Sequence, residues 1–182
     1  HLLLKCVGVL VLVLGPVGSA SDVALYRFSE GSGTSTADAS GNGHVGTLNG
    51  AVGFSADVPS GGGPYAASFG GVSTSISVGH ATDLLPTGSF VVEADVNITL
   101  FPISGSHAGI VGKGGWDCAS GFELLASYDN SVTFNAYIGG TAYPANLVSI
   151  SKPITSGAWH SVRVAYDGAK VTLAIDGTTV GE

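Results

Sequence analysis

Residues 90–99 read FVVEADVNIT and form the longest stretch of the chain in which apolar and polar side chains alternate. The even-numbered positions up to Ile98 are all apolar, whereas Glu93, Asp95 and Asn97 lie between them. Because successive side chains of a β-strand point to opposite faces, this period of two predicts a strand with one buried face and one wet face.

The same alternation recurs along the chain, and spacing typical of helices is almost absent. Further strands are predicted at 23–28, 72–78, 109–111, 122–127, 132–138, 161–166, 171–175 and from 178 onwards. Asp129-Asn130, Asp167-Gly168 and Asp176-Gly177 predict hairpin turns between them. The fold class is therefore all-β: an antiparallel two-sheet β-sandwich or jelly roll. The predicted inward-facing residues are Phe69, Val92, Val96, Phe134, Val162, Val164 and Leu173.

Composition limits the classes of partner. The chain of 182 residues carries a formal charge of -7, with 6 Lys plus Arg against 13 Asp plus Glu. Its long-range field repels phosphates and anionic lipid headgroups, so nucleic acid is not an expected partner.

Residues 1–20 read HLLLKCVGVLVLVLGPVGSA and have the features of a secretory signal peptide. A single cation is followed by an apolar stretch too short to span a membrane, and Gly18 and Ala20 suit a signal peptidase. The alternative is a buried N-terminal strand. Cleavage would leave a domain at 21–182 that is secreted, extracellular, periplasmic or on the cell surface, with Cys118 as its single thiol.

Several segments together resemble the LamG-like jelly-roll domains of the concanavalin A-like lectin/glucanase superfamily. They include LYRFSEGSGTSTADASGNGHVGTLNG, AASFGGVSTSISV, GIVGKGG and AWHSVRVAYDGAKVTLAIDG. The resemblance extends from about Val23 to Gly181 and implies a concanavalin A-like sandwich. Such domains close with a further strand, so the resemblance also implies a domain that lacks its final strand and belongs to a longer extracellular protein with neighbouring domains.

The superfamily contains glycoside hydrolases and polysaccharide lyases, whose catalytic carboxylates alternate along one strand face. Glu93 and Asp95 mimic this arrangement, but the third position is Asn97, an amide that cannot exchange a proton. No catalytic residue is therefore predicted, and the chain is not expected to be an enzyme.

A calcium loop is one interpretation of the segment DASGNGH. Asp38, Ser40 and Asn42 stand at alternate positions, as the oxygen donors of such a loop do, and Gly43 suits a sharp turn. No local carboxylate closes the loop, so a structural Ca²⁺ would need a further donor such as Glu30. The alternative is an Asx turn in which Asp38 and Asn42 bond their own backbone.

Carbohydrate recognition needs exposed aromatic rings for sugar faces and a few polar groups for hydroxyls. The predicted ligand-binding residues are Trp116, Asp117, Tyr128, Tyr137 and Tyr143. The sequence thus predicts a secreted, non-catalytic module that binds a glycan or another extracellular ligand or mediates adhesion. The alternatives are a polysaccharide-active enzyme that uses the face of Glu93 and Asp95, and a structural spacer domain.

Overall fold

The fold consists of β-strands joined by tight turns and longer loops. A computed structural model describes residues 4–14, 22–70, 73–85, 88–113, 121–137 and 147–182. Within these ranges the helical content is one 3-10 turn, Thr82–Leu84. The strands are β1 Leu4–Leu14, β2 Ala24–Tyr26, β3 Ser35–Thr36, β4 Gly46–Asn49, β5 Val52–Ser55, β6 Ala66–Phe69, β7 Ser75–Val78, β8 Phe90–Ile98, β9 His107–Lys113, β10 Gly121–Ser127, β11 Ser131–Tyr137, β12 Leu147–Pro153, β13 Trp159–Tyr166, β14 Val171–Ile175 and β15 Thr178–Gly181.

These strands form three antiparallel sheets. The first runs in the order β15-β14-β13-β8-β1-β6-β5, with β2 also paired to β1. The second has the order β12-β11-β10-β9, and a small third sheet has the order β3-β4-β7. The predicted all-β sandwich is confirmed, since two large sheets stack on one core.

The core lies between β8, β13 and β14 of the first sheet and β10 and β11 of the second. The even-numbered residues of β8 are at most 2% exposed, as the period of two predicts. At the centre the ring of Phe90 lies 5.6 Å from that of Phe122 and 6.1 Å from that of Phe134. Of the predicted inward-facing residues, Phe69 is partly buried and packs against the core, and the other six are fully buried.

The predicted hairpin turns have the backbone that their residues favour. Asn130 adopts a φ of 62°, and Asp176 and Gly177 adopt φ values of 51° and 76°. Two successive positive φ values define the turn that best matches the twist of two antiparallel strands, and Asp-Gly accepts it with little strain.

The sequence pattern missed several strands. β4, β5, β6 and β12 are short or polar, so their alternation is weak. The segment Leu4–Leu14, predicted as part of a signal peptide, forms β1 and pairs with β8. This strand agrees with the alternative of an N-terminal strand, while removal of residues 1–20 as a signal stays a prediction. In the described part of the chain, no helix is long and apolar enough to cross a membrane.

Candidate functional site

The turn between β10 and β11 presents an aromatic side chain to solvent. Ser127 accepts a backbone hydrogen bond from Asn130 at 3.2 Å, which closes the turn around Tyr128 and Asp129. Tyr128 is 49% exposed, and its ring centroid lies 6.3 Å from that of His107 on β9. An exposed ring fixed at a hairpin is the group that a sugar face stacks on.

Beside Tyr128, hydroxyl groups from three strands form a continuous network. The Oγ of Ser127 lies 2.7 Å from Oγ1 of Thr133, which lies 2.9 Å from Oγ of Ser151. Ser131 joins the network through a 2.7 Å contact with Ser151 and donates to Asp129 at 2.5 Å. His107 contacts Ser127 through Nδ1 at 3.0 Å. These contacts hold the polar groups in fixed positions. Ser127 and Ser131 are each only 3% exposed, so the network reaches the surface through Thr133, Ser151 and His107.

Asp129 is the anionic end of the network. The hydrogen bond from the Ser131 hydroxyl is the main cause that lowers the pKa of Asp129, and the nearby His107 contributes to the same effect. The carboxylate therefore stays ionised at neutral pH and accepts hydrogen bonds. Hydroxyl donors of an uncharged ligand would satisfy its remaining acceptor sites.

We call the outward surface of β9–β12 the polar face. Its residues alternate with those that enter the core, and three of them, Ser127, Ser131 and Tyr137, are themselves buried. The polar face consists of His107, Gly109, Gly112, Glu123, Leu125, Ser127, Ser131, Thr133, Asn135, Tyr137, Ser149 and Ser151. Away from the hairpin, Ser149 donates to Asn135 at 2.8 Å, and Tyr137 donates to Glu123 at 3.0 Å.

Two glycines of β9 have no side chain on the polar face, so the backbone is uncovered there. Gly109 lies opposite Leu125, and Gly112 lies opposite Glu123. A Cβ added at Gly109 would meet nothing within 4 Å. Glycine inside a strand often marks a bulge or a close approach to the backbone, and β9 has a register shift here. The surface above Gly109 is sterically open, whereas a Cβ at Gly112 would lie 3.2 Å from the carbonyl oxygen of Phe122.

The structure separates two of the aromatic residues that the sequence placed together. Tyr128 lies at the hairpin end of β10 and β11, whereas Tyr137 lies at the other end, paired with Gly121. Six residues of strand separate the two ends, about 20 Å at roughly 3.3 Å per residue. Tyr137 is also only 4% exposed, so its ring does not offer an open face. Trp116, Asp117 and Tyr143 lie outside the described residues.

Sequence reasoning missed His107 and the hydroxyl network. The signal was present in the strand at 131–137, where Ser131, Thr133 and Asn135 alternate with buried residues. What the sequence does not give is the register that places Ser151 opposite Thr133 and His107 opposite Ser127.

The loop at Asp38 is organised by its own carboxylate. Oδ1 accepts the backbone N–H groups of Leu25 and Ser40 at 3.0 and 2.9 Å, and Oδ2 accepts that of His44 at 3.0 Å. Burial opposes ionisation, but hydrogen bonds from Ser40 and from these backbone groups outweigh it and lower the pKa of Asp38 to about 2. The carboxylate therefore fixes the loop against β2.

The other predicted calcium ligands also bond within this loop or to its neighbour. Ser40 donates its hydroxyl to the carbonyl of Val23 at 3.1 Å, and the Asn42 amide donates to the same carbonyl at 2.9 Å. Oε1 of Glu30 accepts the backbone N–H of Ala37 at 2.8 Å. These contacts support the Asx-turn alternative. In the described ranges, no three His, Cys, Asp or Glu residues group as a metal site, and calcium binding stays a prediction.

Glu93 and Asp95 lie on the outer surface of the first sheet, away from the core. Nε of Arg163 on β13 donates a 2.6 Å hydrogen bond to Oε1 of Glu93, and the two side chains form an ion pair. Burial raises the pKa of Asp95; a Ser161 hydrogen bond opposes this effect, while the charges of Glu93 and Asp176 add to it. Asn97 is 5% exposed, and its Oδ1 has no hydrogen-bond partner among the described residues.

The family model described as the concanavalin A-like lectin/glucanase superfamily matches residues 69–182 of this chain. The match includes β8 to β15 and therefore the whole polar face. Because it covers more than half of the sequence, the chain belongs to the laminin G-like family of that superfamily. Neither the characterised proteins nor the solved structures include a significant match.

Proposed function

We propose that this chain is a secreted, non-catalytic carbohydrate-binding domain, and that its glycan lies along the polar face with Tyr128 as the stacking platform. The observation that carries the proposal is the exposed Tyr128 ring beside a preordered network of hydroxyl groups. An exposed aromatic ring beside oriented polar groups is what recognition of a sugar requires.

An uncharged glycan suits this face best. Glu123 lies on the polar face and Asp129 in the turn at its edge, and the chain as a whole has a charge of -7. An anionic polysaccharide would meet a field of its own sign, whereas neutral sugar hydroxyls donate to carboxylates and accept from serine hydroxyls. The open surface above Gly109 gives an extended chain a path along the sheet.

The experiment compares matched variants in affinity electrophoresis on neutral and acidic polysaccharides. Tyr128→Ala removes the stacking ring, and Gly109→Gln fills the open surface without a clash, because its Cβ meets nothing within 4 Å. Gly53→Gln is the matched control, since Gly53 lies in β5 and a Cβ added there also meets nothing within 4 Å.

Wild type and Gly53→Gln should be retarded by a neutral polysaccharide, and Tyr128→Ala and Gly109→Gln should be retarded much less at the same concentration. Loss of a stacking ring is worth about 1–2 kcal/mol, which is roughly tenfold in affinity. Retardation of all four proteins to the same extent would mean that the ligand binds elsewhere on the protein. Failure of wild type to bind any polysaccharide would favour the alternative of a structural spacer domain.

Polysaccharide cleavage is the second candidate function. The raised pKa of Asp95 beside the ion-paired Glu93 favours it, because burial and the neighbouring carboxylates make this carboxyl easier to protonate, as an acid catalyst requires. Glu93→Gln should then reduce the release of reducing ends by several powers of ten. Under the binding proposal wild type releases none, and the variant keeps its affinity for glycan.

A further inference from the structure

The side-chain hydrogen bonds beside Tyr128 form one unbranched chain. In order along it the members are His107, Ser127, Thr133, Ser151, Ser131 and Asp129, and the five contacts measure 3.0, 2.7, 2.9, 2.7 and 2.5 Å. A further approach, between Ser131 and Thr133, is 3.5 Å, which is too long for an O–H···O bond. Among the described residues the four hydroxyl groups have no hydrogen bond outside this chain, so their protons can be counted.

The count of protons assigns the protonation of His107. A hydroxyl group donates a single proton, and an ionised carboxylate has none. Ser131 donates to Asp129, so the three other hydroxyls supply three protons to the four contacts that remain. Each contact needs a proton between its two atoms, because facing lone pairs repel at these distances. The fourth proton is therefore on Nδ1 of His107, and all five hydrogen bonds point from His107 toward Asp129.

This assignment makes the other ring nitrogen of His107 an acceptor. In a neutral imidazole one nitrogen donates and the other accepts, and the bond made by one nitrogen decides the role of the other. His107 is exposed, and within the described part of the chain its Nε2 has no hydrogen-bond partner. The His107 ring lies 6.3 Å from the Tyr128 ring, so a sugar unit stacked on Tyr128 would lie beside it.

We propose that His107 is a specificity-determining residue of the glycan site, and that its Nε2 accepts a hydrogen bond from a hydroxyl of the sugar unit that stacks on Tyr128. This inference rests on the proposed function. The ligand class is a neutral glycan in which this hydroxyl is unsubstituted, because an ether or ester there has no proton to donate. Asp129 is a positioning residue, since its charge fixes the direction of the whole chain of hydrogen bonds.

The first measurement locates the proton on His107 without any ligand. It uses the ¹⁵N chemical shifts of the imidazole nitrogens in the full chain at about pH 8, where histidine is neutral. His107→Asn identifies the signals among the five histidines. Nδ1 should have the shift of a protonated nitrogen and Nε2 that of an unprotonated one. A proton on Nε2 would overturn the proposal even in a protein that binds glycan.

A substitution on the far edge of the sheet tests the count itself. Ser151 lies on β12, three strands from His107 and about 14 Å away at roughly 4.8 Å per strand. Ser151→Ala removes one proton and two contacts, so Ser127 and Thr133 can serve the two contacts that remain before Asp129 is reached. The proton on Nδ1 is then no longer required, and the ¹⁵N shifts should move toward those of free histidine.

Ser149→Ala is the matched control for this substitution. Ser149 is an exposed serine of the same strand, but its hydroxyl donates to Asn135, outside the chain of hydrogen bonds. It should leave the His107 shifts unchanged. Identical His107 shifts in wild type and Ser151→Ala would overturn the proton count and the proposal with it.

The second measurement is affinity for oligosaccharides of a neutral β-glucan. His107→Asn keeps an N–H donor near the position of Nδ1 but has no counterpart of Nε2, so it should bind about fivefold more weakly, as expected for one lost hydrogen bond. At one sugar position, replacing the hydroxyl by hydrogen should weaken wild type about fivefold and His107→Asn not at all. Equal losses in both proteins at every position would overturn the proposal. Absence of glycan binding by wild type, with the proton on Nδ1, would instead overturn the proposed function on which it rests.

Discussion

Replacing Asp38 with alanine tests whether one carboxylate organises the irregular loop beside β2. The change removes the acceptor of three backbone N–H groups, those of Leu25, Ser40 and His44. At about 1 kcal/mol for each bond, the free energy of unfolding should fall by about 3 kcal/mol. An ordinary surface substitution changes it by roughly 0.5 kcal/mol or less.

The dependence on pH provides a second measure of the same interaction. The pKa of Asp38 falls from 3.8 to about 2 on folding, a difference of 1.8, which corresponds to about 2.4 kcal/mol before solvent screening. Because the side chain is partly exposed, about half of this is expected. A lowered carboxyl pKa stabilises the fold above pH 3.8, and this contribution is lost as the pH falls through 2.

Urea unfolding followed by circular dichroism measures both effects. Asp38→Asn is an intermediate variant, because its amide keeps one acceptor and loses the bond to His44. Asp22→Ala is the control, since Asp22 contacts this loop through its backbone carbonyl. A loss below about 0.5 kcal/mol in Asp38→Ala, or acid dependence equal to that of wild type, would refute the reasoning.

The other predictions concern calcium, the outer surface of the first sheet and the core. If the loop binds calcium as the sequence predicts, millimolar Ca²⁺ should raise the melting midpoint of wild type but not of Asp38→Ala. No shift in wild type would mean that the loop does not bind calcium. Asp95→Asn should stabilise the fold at pH 7, because a raised pKa means that the ionised carboxyl is unfavourable when folded. In urea titrations this gain should shrink as the pH falls through the raised pKa, and a loss of stability at pH 7 would contradict it. Phe134→Ala should cost about 3–5 kcal/mol and Arg163→Gln less than about 1 kcal/mol, since Phe134 is fully buried and the ion pair of Arg163 is partly exposed. Equal costs in urea would contradict this ranking.

The fold was largely predictable because apolar and polar side chains alternate strictly along its central strands. In β8 and β11 every second side chain enters the core, so the hydrophobic pattern alone defines strand and face. β12 carries Ser149 and Ser151 on its exposed face, but Lys152 stands where the alternation calls for an apolar residue, so the apolar pattern is too short to predict a strand. Leu4–Leu14 was ambiguous, because an apolar segment suits both a leader and a strand between two others.

The candidate site was predictable only in part. Tyr128 was found because an aromatic residue precedes an Asp-Asn turn signal, and the structure exposes its ring. Tyr137 was predicted as an aromatic residue on the polar face of a strand, but its side chain is buried and donates a hydrogen bond to Glu123. The hydroxyl network depends on the register of β9–β12, and register is a long-range property that a local pattern does not contain.

If a neutral glycan lies along the polar face beside Tyr128, a side chain added to that face should weaken its binding. The most direct measurement is the affinity of wild type, Gly109→Gln and Gly53→Gln for one neutral polysaccharide, by affinity electrophoresis over a range of ligand concentrations. We expect Gly109→Gln to bind at least about tenfold more weakly than wild type, with Gly53→Gln unchanged. Equal affinities of all three proteins would contradict the assignment of this face as the binding site.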